Sequence, residues 1–215
     1  AAFSKRETLV TLMEVRAGGS PPFSLDVILL AHSINGLHVL AEMWREWEVW
    51  FAEVEENHTT LPALVFFRST RSERSWITAA GAVLDTASLY ASTLNTPSNT
   101  TFGNAEAGLC IRAGYLCLRY IAAYFQIDFH PDPHFPDQPI SVSQAEFDEV
   151  YNQLVAAGVP VKPDREQCWK DFAGWRVNYD TVLLRLSAIT MAPYAQWSSD
   201  RSLPGTHGKF TQFER

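Results

Sequence analysis

Apolar residues return at intervals of three and four along most of this chain. From Leu37 they fall on Leu37, Leu40, Trp44, Trp47, Phe51 and Val54, a 3,4,3,4,3 progression, while Glu42, Arg45, Glu46, Glu53, Glu55 and Glu56 lie off the line. A helix of 3.6 residues per turn gathers such positions on one face, so the stretch is predicted to be an amphipathic helix. Trp76, Ala80, Val83, Ala87, Tyr90 and Leu94 repeat the spacing, as do Cys168, Phe172, Trp175, Tyr179, Val182, Leu186 and Ile189. One segment carries two stripes at once, Leu109, Ala113, Leu116, Tyr120, Ala123 and Ile111, Tyr115, Leu118, Ala122, Phe125. A helix apolar around most of its circumference is expected at the centre of a bundle.

The punctuation agrees with the periodicity. A first helix, Phe3 to Ala17, is closed by Gly18-Gly19 and Pro21-Pro22, and a second spans Phe23 to Ile34. Ser143-Gln144-Ala145-Glu146 is a capping box opening a helix that carries Phe147, Val150, Tyr151 and Leu154 and stops at Gly158; Asp164 with Gln167 opens the last one. Asn95 to Asn104 has turn composition, and His130 to Pro139 holds four prolines, so it can be neither helix nor central strand. No period-two run calls for a strand. The predicted class is all-α, a single-core bundle of about six or seven helices with a Pro-rich connector near residues 130–139. Residues 1–197 form the helical domain, a sub-boundary near 130–140 would separate an N-terminal bundle from a C-terminal helical pair, and 198–215 is predicted to be a frayed tail.

Composition changes this picture little. Hydrophobic residues make up 47% and charged residues 19%, with seven Trp, seven Tyr and thirteen Phe, a load that fits a packed core and excludes a wholly disordered chain. The net charge of −7 disfavours nucleic acid and anionic membrane surfaces as partners. Cys110, Cys117 and Cys168 have no metal-type spacing and are expected to be reduced and packed, as in the cytosol. Asp85, Arg112 and Arg119 interrupt the apolar runs, so no segment is long and apolar enough to span a membrane.

Three constellations could carry chemistry. His130, Asp132, His134 and Asp137 offer ligands for a divalent ion within eight residues, although the prolines hold alternate side chains apart and a solvated connector is the competing reading. Glu55 and His58 form one E-x-x-H pair without the second copy a di-iron bundle needs; His58 is read as closing the Trp-rich helix. At least one of Arg112 and Arg119 is expected to pair with Asp85 or another acid, because an unpaired buried ion costs several kcal/mol, and Arg176 can pair with Asp180 at i, i+4. Trp44, Trp47, Trp50 and Phe51 are candidate interface anchors. No nucleophile, phosphate-loop or dinucleotide motif is found, so no catalytic residue and no cofactor are expected.

Several blocks carry a family resemblance: A-A-F-S-K-R-E at 1–7, A-G-G-S-P-P at 17–22, W-R-E-W-E-V-W-F-A-E at 44–53, H-T-T-L-P-A-L-V-F-F-R-S at 58–69, S-W-I-T-A-A-G-A-V-L-D at 75–85, D-F-A-G-W-R-V-N-Y-D at 171–180 and A-P-Y-A-Q-W-S-S-D-R at 192–201. Through them the chain resembles the cytosolic C-terminal region of bacterial, potassium-channel-like membrane proteins predicted to be ion channels. The likeness covers nearly the whole chain and is weakest over Asn95 to Ala105 and the last dozen residues. It implies a non-catalytic domain at the cytoplasmic face of the membrane, following the last helix of a pore. Such a domain would be homo-oligomeric through the full-length protein and could couple an intracellular signal to gating. No selectivity-filter sequence occurs in the chain, so no pore residue is carried over. Two rival readings remain open: a metal- or small-molecule-binding helical enzyme centred on His58 and the 130–137 loop, and a protein-interaction module.

Overall fold

The computed structural model describes residues 2–95 and 104–201. Eight α-helices are present among them: α1 (Ala2–Ala17), α2 (Ser24–Ser33), α3 (Leu40–Thr60), α4 (Trp76–Thr93), α5 (Asn104–Tyr124), α6 (Gln144–Ala156), α7 (Arg165–Arg176) and α8 (Asp180–Ile189). Single 3-10 turns at Leu37–Val39 and Pro62–Phe66 lead into and out of α3. The predicted loop at 95–104 lies outside the described residues except at its two ends.

The ends of the helices follow their local chemistry. Ser143 accepts from the Glu146 backbone while the Glu146 carboxylate accepts from the Ser143 backbone, so the capping box is complete, and the Asp164 carboxylate accepts from the Gln167 N–H at 3.0 Å. Gly18 and Gly158 end α1 and α6 in the left-handed region, at φ +69° and +75°.

The core is organised around α4. All of its residues except Ala91 are buried, and it is packed by α5, α7, α2, α1 and α8. Its run of small side chains, Ala79-Ala80-Gly81-Ala82 with Ala87, is what allows so many neighbours close approach. This corrects the expectation that α5 holds the centre. Of the two α5 stripes, the one containing Ile111 and Leu118 faces the core, whereas Leu109, Leu116 and Tyr120 of the other are exposed. Helices α3 and α5 run side by side in the same direction, with Arg45 paired to Glu106 near one end and Phe51 opposite Gly114 in the middle.

Burial also corrects the proposed interface anchors. Trp44, Trp47, Trp50 and Phe51 are all at most 2% exposed. Trp47 and Trp50 lie 4.5 Å apart between ring centres, Trp50 and Phe51 5.2 Å, and Trp44 meets Tyr90 of α4 at 4.7 Å. The aromatic seam is filled from within the chain, because α5, α1 and α4 close over it, and it offers no surface to a partner.

Two further expectations are corrected. The last predicted helix is two helices, broken at Val177–Tyr179, which lets the second half turn away with Asp180 at its first position. The chain beyond Trp197 is not frayed as far as Arg201: Ser198 is buried, and Arg201 donates to Glu146 at 2.9 Å and to Asp200 at 2.8 Å. One buried cluster runs from Val10 to Trp197 across the Pro-rich connector, where Phe135 packs on Trp169.

Candidate functional site: two buried arginine clusters

The α7–α8 break brings three charged groups together in the interior. Arg176 ends α7 and Asp180 begins α8, and the guanidinium Nε donates to Asp180 Oδ1 at 2.7 Å. Its Nη1 donates to Asp85 Oδ1 of α4, and its Nη2 to the Trp197 carbonyl. Tyr179 Oη also donates to Asp85 Oδ1 at 2.8 Å and lies 2.9 Å from Ser88 Oγ. Asp180 is held from its other side by Ser141, whose N–H and hydroxyl donate at 2.9 and 2.7 Å. All three ions are at most 1% exposed. Together they join α4, α7, α8, the segment before α6 and the segment around Trp197.

Charge balance in this cluster sets the protonation tendencies. Burial pushes the Asp85 carboxyl up, against the opposing pull of Arg176 and Tyr179. Burial would lower Arg176, but Asp85 and Asp180 outweigh it and hold the guanidinium firmly protonated. Burial and the Asp85 charge raise the Tyr179 phenol. A buried, fully bonded set of this kind fixes one arrangement of its helices.

The partner of Asp85 is thus Arg176, not Arg112 or Arg119 as the spacing suggested. Arg112 is exposed and donates to Tyr115 Oη at 3.1 Å, whereas Arg119 is half-buried and donates to the Asn178 carbonyl at 2.9 Å, to Asn178 Oδ1 at 3.2 Å and to the Pro131 carbonyl at 3.0 Å. Arg119 therefore ties the Pro-rich connector to the α7–α8 turn.

The second cluster lies at the start of α1. Arg6 is buried and donates to Glu7 Oε1 at 3.0 Å, His58 Nε2 at 3.1 Å, the Leu64 carbonyl at 2.7 Å and the Phe67 carbonyl at 2.7 Å. Its own carbonyl accepts from Trp50 Nε1 at 3.1 Å. Because His58 Nε2 receives the Arg6 proton, its Nδ1 carries the ring hydrogen and donates to the Val54 carbonyl at 2.9 Å. The ring stacks on Trp76 at 4.9 Å. Sequence reasoning missed Arg6, although it begins a stripe of Arg6, Val10, Met13 and Ala17 that α1 turns inward.

Burial first, and the Arg6 charge second, push the His58 imidazole down to about 4. In the unfolded chain it titrates near 6.5, so unfolding takes up a proton below that pH. Its contribution is complete above pH 6.5 and is lost as pH falls toward 4. Chemical denaturation at pH 7.5 and 4.5 should show a loss of roughly 2–3 kcal/mol in the native protein that is missing in His58→Gln. Equal pH dependence in both proteins would refute the assignment.

The 130–137 loop does not assemble a metal centre. Asp132 and His134 are largely exposed with Nε2 and Oδ1 4.0 Å apart, His130 Nδ1 accepts from the Asp132 N–H at 3.2 Å, and Asp137 is exposed. Prolines alternate the side chains outward, and only Phe135 turns toward the core. Among the described residues no group of three or more His, Cys, Asp or Glu gathers in a metal-binding arrangement. His58 is likewise withdrawn from the rival enzyme centre, since both ring nitrogens are engaged and the residue is 1% exposed. Cys110, Cys117 and Cys168 are free and buried.

Among the described residues no helix is long and apolar enough to cross a membrane. No protein-family model matches this chain, and neither a curated protein nor a solved structure is found to be similar to it.

Proposed function

We propose that this chain is a non-catalytic cytosolic module of a bacterial ion-channel-like membrane protein, one that assembles beneath a pore and passes the position of its first helix to the bundle. Support comes from the sequence resemblance, whose blocks coincide with the two buried clusters. The A-A-F-S-K-R-E stretch supplies Arg6, and D-F-A-G-W-R-V-N-Y-D supplies Arg176, Tyr179 and Asp180. The observation that carries the reading is the Arg6 clamp. Its bonds to His58, Leu64 and Phe67 tie the first turns of α1 to the end of α3 and to the 3-10 turn beyond it.

A displacement of α1 then cannot occur without moving α3 or breaking a buried, charge-assisted set of bonds. Any ligand that binds the two arrangements with different affinity would bias a pore joined to α1. Membrane attachment requires helices outside the residues described, so the decisive test is the parent open reading frame. Two hydrophobic segments flanking a filter-like sequence are expected upstream, and potassium flux in vesicles carrying that parent should change in Arg6→Gln at unchanged expression. A coding sequence without membrane helices, or no ion flux, sinks the proposal.

A further inference from the structure

Two connecting segments bring large apolar side chains to one outer face. Phe66 and Phe67, where the 3-10 turn after α3 ends, are 48% and 51% exposed, and Met191 and Tyr194, just past α8, are 71% and 70% exposed. The segments meet. Arg68 Nη2 lies 3.5 Å from the Met191 carbonyl, and a cleft of about 120 Å³ opens between them, bordered by Phe66, Phe67, Arg68, Ser72, Met191 and Pro193. With about half or more of four large side chains open, the patch is on the order of 450 Å², the size at which an exposed apolar surface on a monomer marks a binding site. Phe67 also meets Phe3 at 6.3 Å, which places the patch beside the first turn of α1.

The polar groups around the patch restrict what it fits. Residues 68–75 carry Arg68, Arg71 and Arg74 with Ser69, Thr70, Ser72 and Ser75, against the single carboxylate of Glu73. Arg74 is taken by Glu14 and Ser69 by Glu7, both on α1. Arg68, Thr70, Arg71 and Ser72 are exposed, and among the described residues neither Arg68 nor Arg71 has a carboxylate within ion-pair reach. The rim therefore offers cations and hydrogen-bond donors around an apolar centre. Its complement is an anionic layer of acceptors over an apolar interior, which is the chemistry of phosphodiester headgroups above acyl chains; a protein surface presents donors and acceptors alike. We infer that this face docks on an anionic phospholipid bilayer, with Phe67, Met191 and Tyr194 entering the boundary between headgroups and acyl chains and Arg68 and Arg71 on the phosphates. The net charge of −7 opposes this only weakly, because charges beyond about 10 Å are screened at ordinary salt and the local excess of cations decides. The contact deepens the pore reading, since a domain beneath a pore faces the bilayer, yet it is made by this chain's own surface and is testable without the parent protein.

Flotation of the whole chain with lipid vesicles tests it. Phosphatidylcholine vesicles containing about a third phosphatidylglycerol should carry the protein, pure phosphatidylcholine vesicles should carry roughly tenfold less, and salt near 0.5 M should release it. Arg68→Gln and Arg71→Gln should each weaken binding about fivefold, and Glu73→Gln should strengthen it. Arg112→Gln makes the same charge change about 20 Å along the chain axis from Phe125, which touches Phe66, and should leave binding unchanged. Met191→Asn, tolerated at φ +48°, combined with Tyr194→Ser should weaken binding by more than roughly tenfold at an unchanged melting temperature. No flotation, equal flotation on neutral and anionic vesicles, or binding indifferent to these arginine and Met191/Tyr194 variants overturns the inference. So does a dimer in sedimentation that Met191→Asn with Tyr194→Ser abolishes, since the face would then belong to a second copy. A parent without membrane helices would sink the pore and leave the vesicle result standing, so the two readings fail separately.

Discussion

Replacing Arg176 by Met is expected to cost about 3–5 kcal/mol, enough to unfold much of a domain whose total stability is of the usual 5–15 kcal/mol. Methionine fills comparable space, so the loss is not a cavity effect. It arises because Asp85 and Asp180, both almost wholly buried, are left facing one another without the cation between them. The Trp197 carbonyl and Asp180 lose donors as well, and each unsatisfied buried group adds a desolvation cost. The native state can recover part of this by protonating one carboxyl, for which Asp85 is disposed, since burial already raises it. Stability of Arg176→Met should accordingly improve as pH is lowered toward 5, opposite in sign to the His58 effect. Asp85→Asn and Asp180→Asn added to Arg176→Met should restore more than half of the loss, because an all-neutral set removes the uncompensated charge. Urea denaturation of the single and triple variants measures both steps. A single variant within 1 kcal/mol of the native protein would show that the cluster is not closed to water.

These two clusters also mark where sequence reading stops. Helix positions follow from the spacing of apolar residues and from caps such as Ser143 and Asp164, which act within four residues of themselves. The ion-pair partners do not, because Asp85 and Arg176 are 91 positions apart and meet only once α4 and α7 are packed. Arg112 and Arg119 looked equivalent to Arg176 along the sequence, each being a cation on an apolar helix. What distinguishes them is where packing puts each position: Arg112 lies on the exposed side of α5, and Arg119 lies against the α7–α8 turn and the connector, where carbonyl oxygens receive it, a fact about packing order rather than about α5 itself. The break at Val177–Tyr179 was hidden for a related reason. Cys168 through Ile189 keeps a helical period across it, and no proline or glycine marks the turn. The pull of Arg176 toward both Asp85 and Asp180, with Ser141 holding Asp180 from outside, is a long-range cause with no local signature. His58 shows the converse: it falls at the next seam position after Val54, so the period pointed to burial, while its residue type drew the reading toward chemistry.

Gly114→Val should destabilise the fold by more than 3 kcal/mol, although glycine is the poorest helix former after proline. The position lies in the middle of α5, where a β-carbon would overlap Leu84 Cδ2 and lie 2.9 Å from Phe51 Cζ. Removing glycine from a helix interior is worth about 1 kcal/mol in propensity, so the sign is decided by whether those two side chains can yield. They cannot do so cheaply. Phe51 is fully buried and its ring rests against Trp47 at 5.9 Å and Trp50 at 5.2 Å, so tilting it displaces the aromatic seam. Leu84 is fully buried on the central helix. Overpacking costs of about 1–3 kcal/mol per methylene-scale intrusion therefore apply, and valine brings two methyl groups beyond the first clash. Gly114→Ala should be milder, about 1–2 kcal/mol net. Gly108, one and a half turns earlier on the same helix, supplies the control: a β-carbon there meets only Trp175 at an ordinary 3.8 Å, so Gly108→Ala should stabilise by up to about 1 kcal/mol. A double-mutant cycle then separates propensity from crowding. In a Leu84→Ala background the tighter of the two clashes is removed while that with Phe51 remains, so Gly114→Ala should be markedly less destabilising there. If it destabilises equally in both backgrounds, the close approach of α3, α4 and α5 at Gly114 is not what sets its cost.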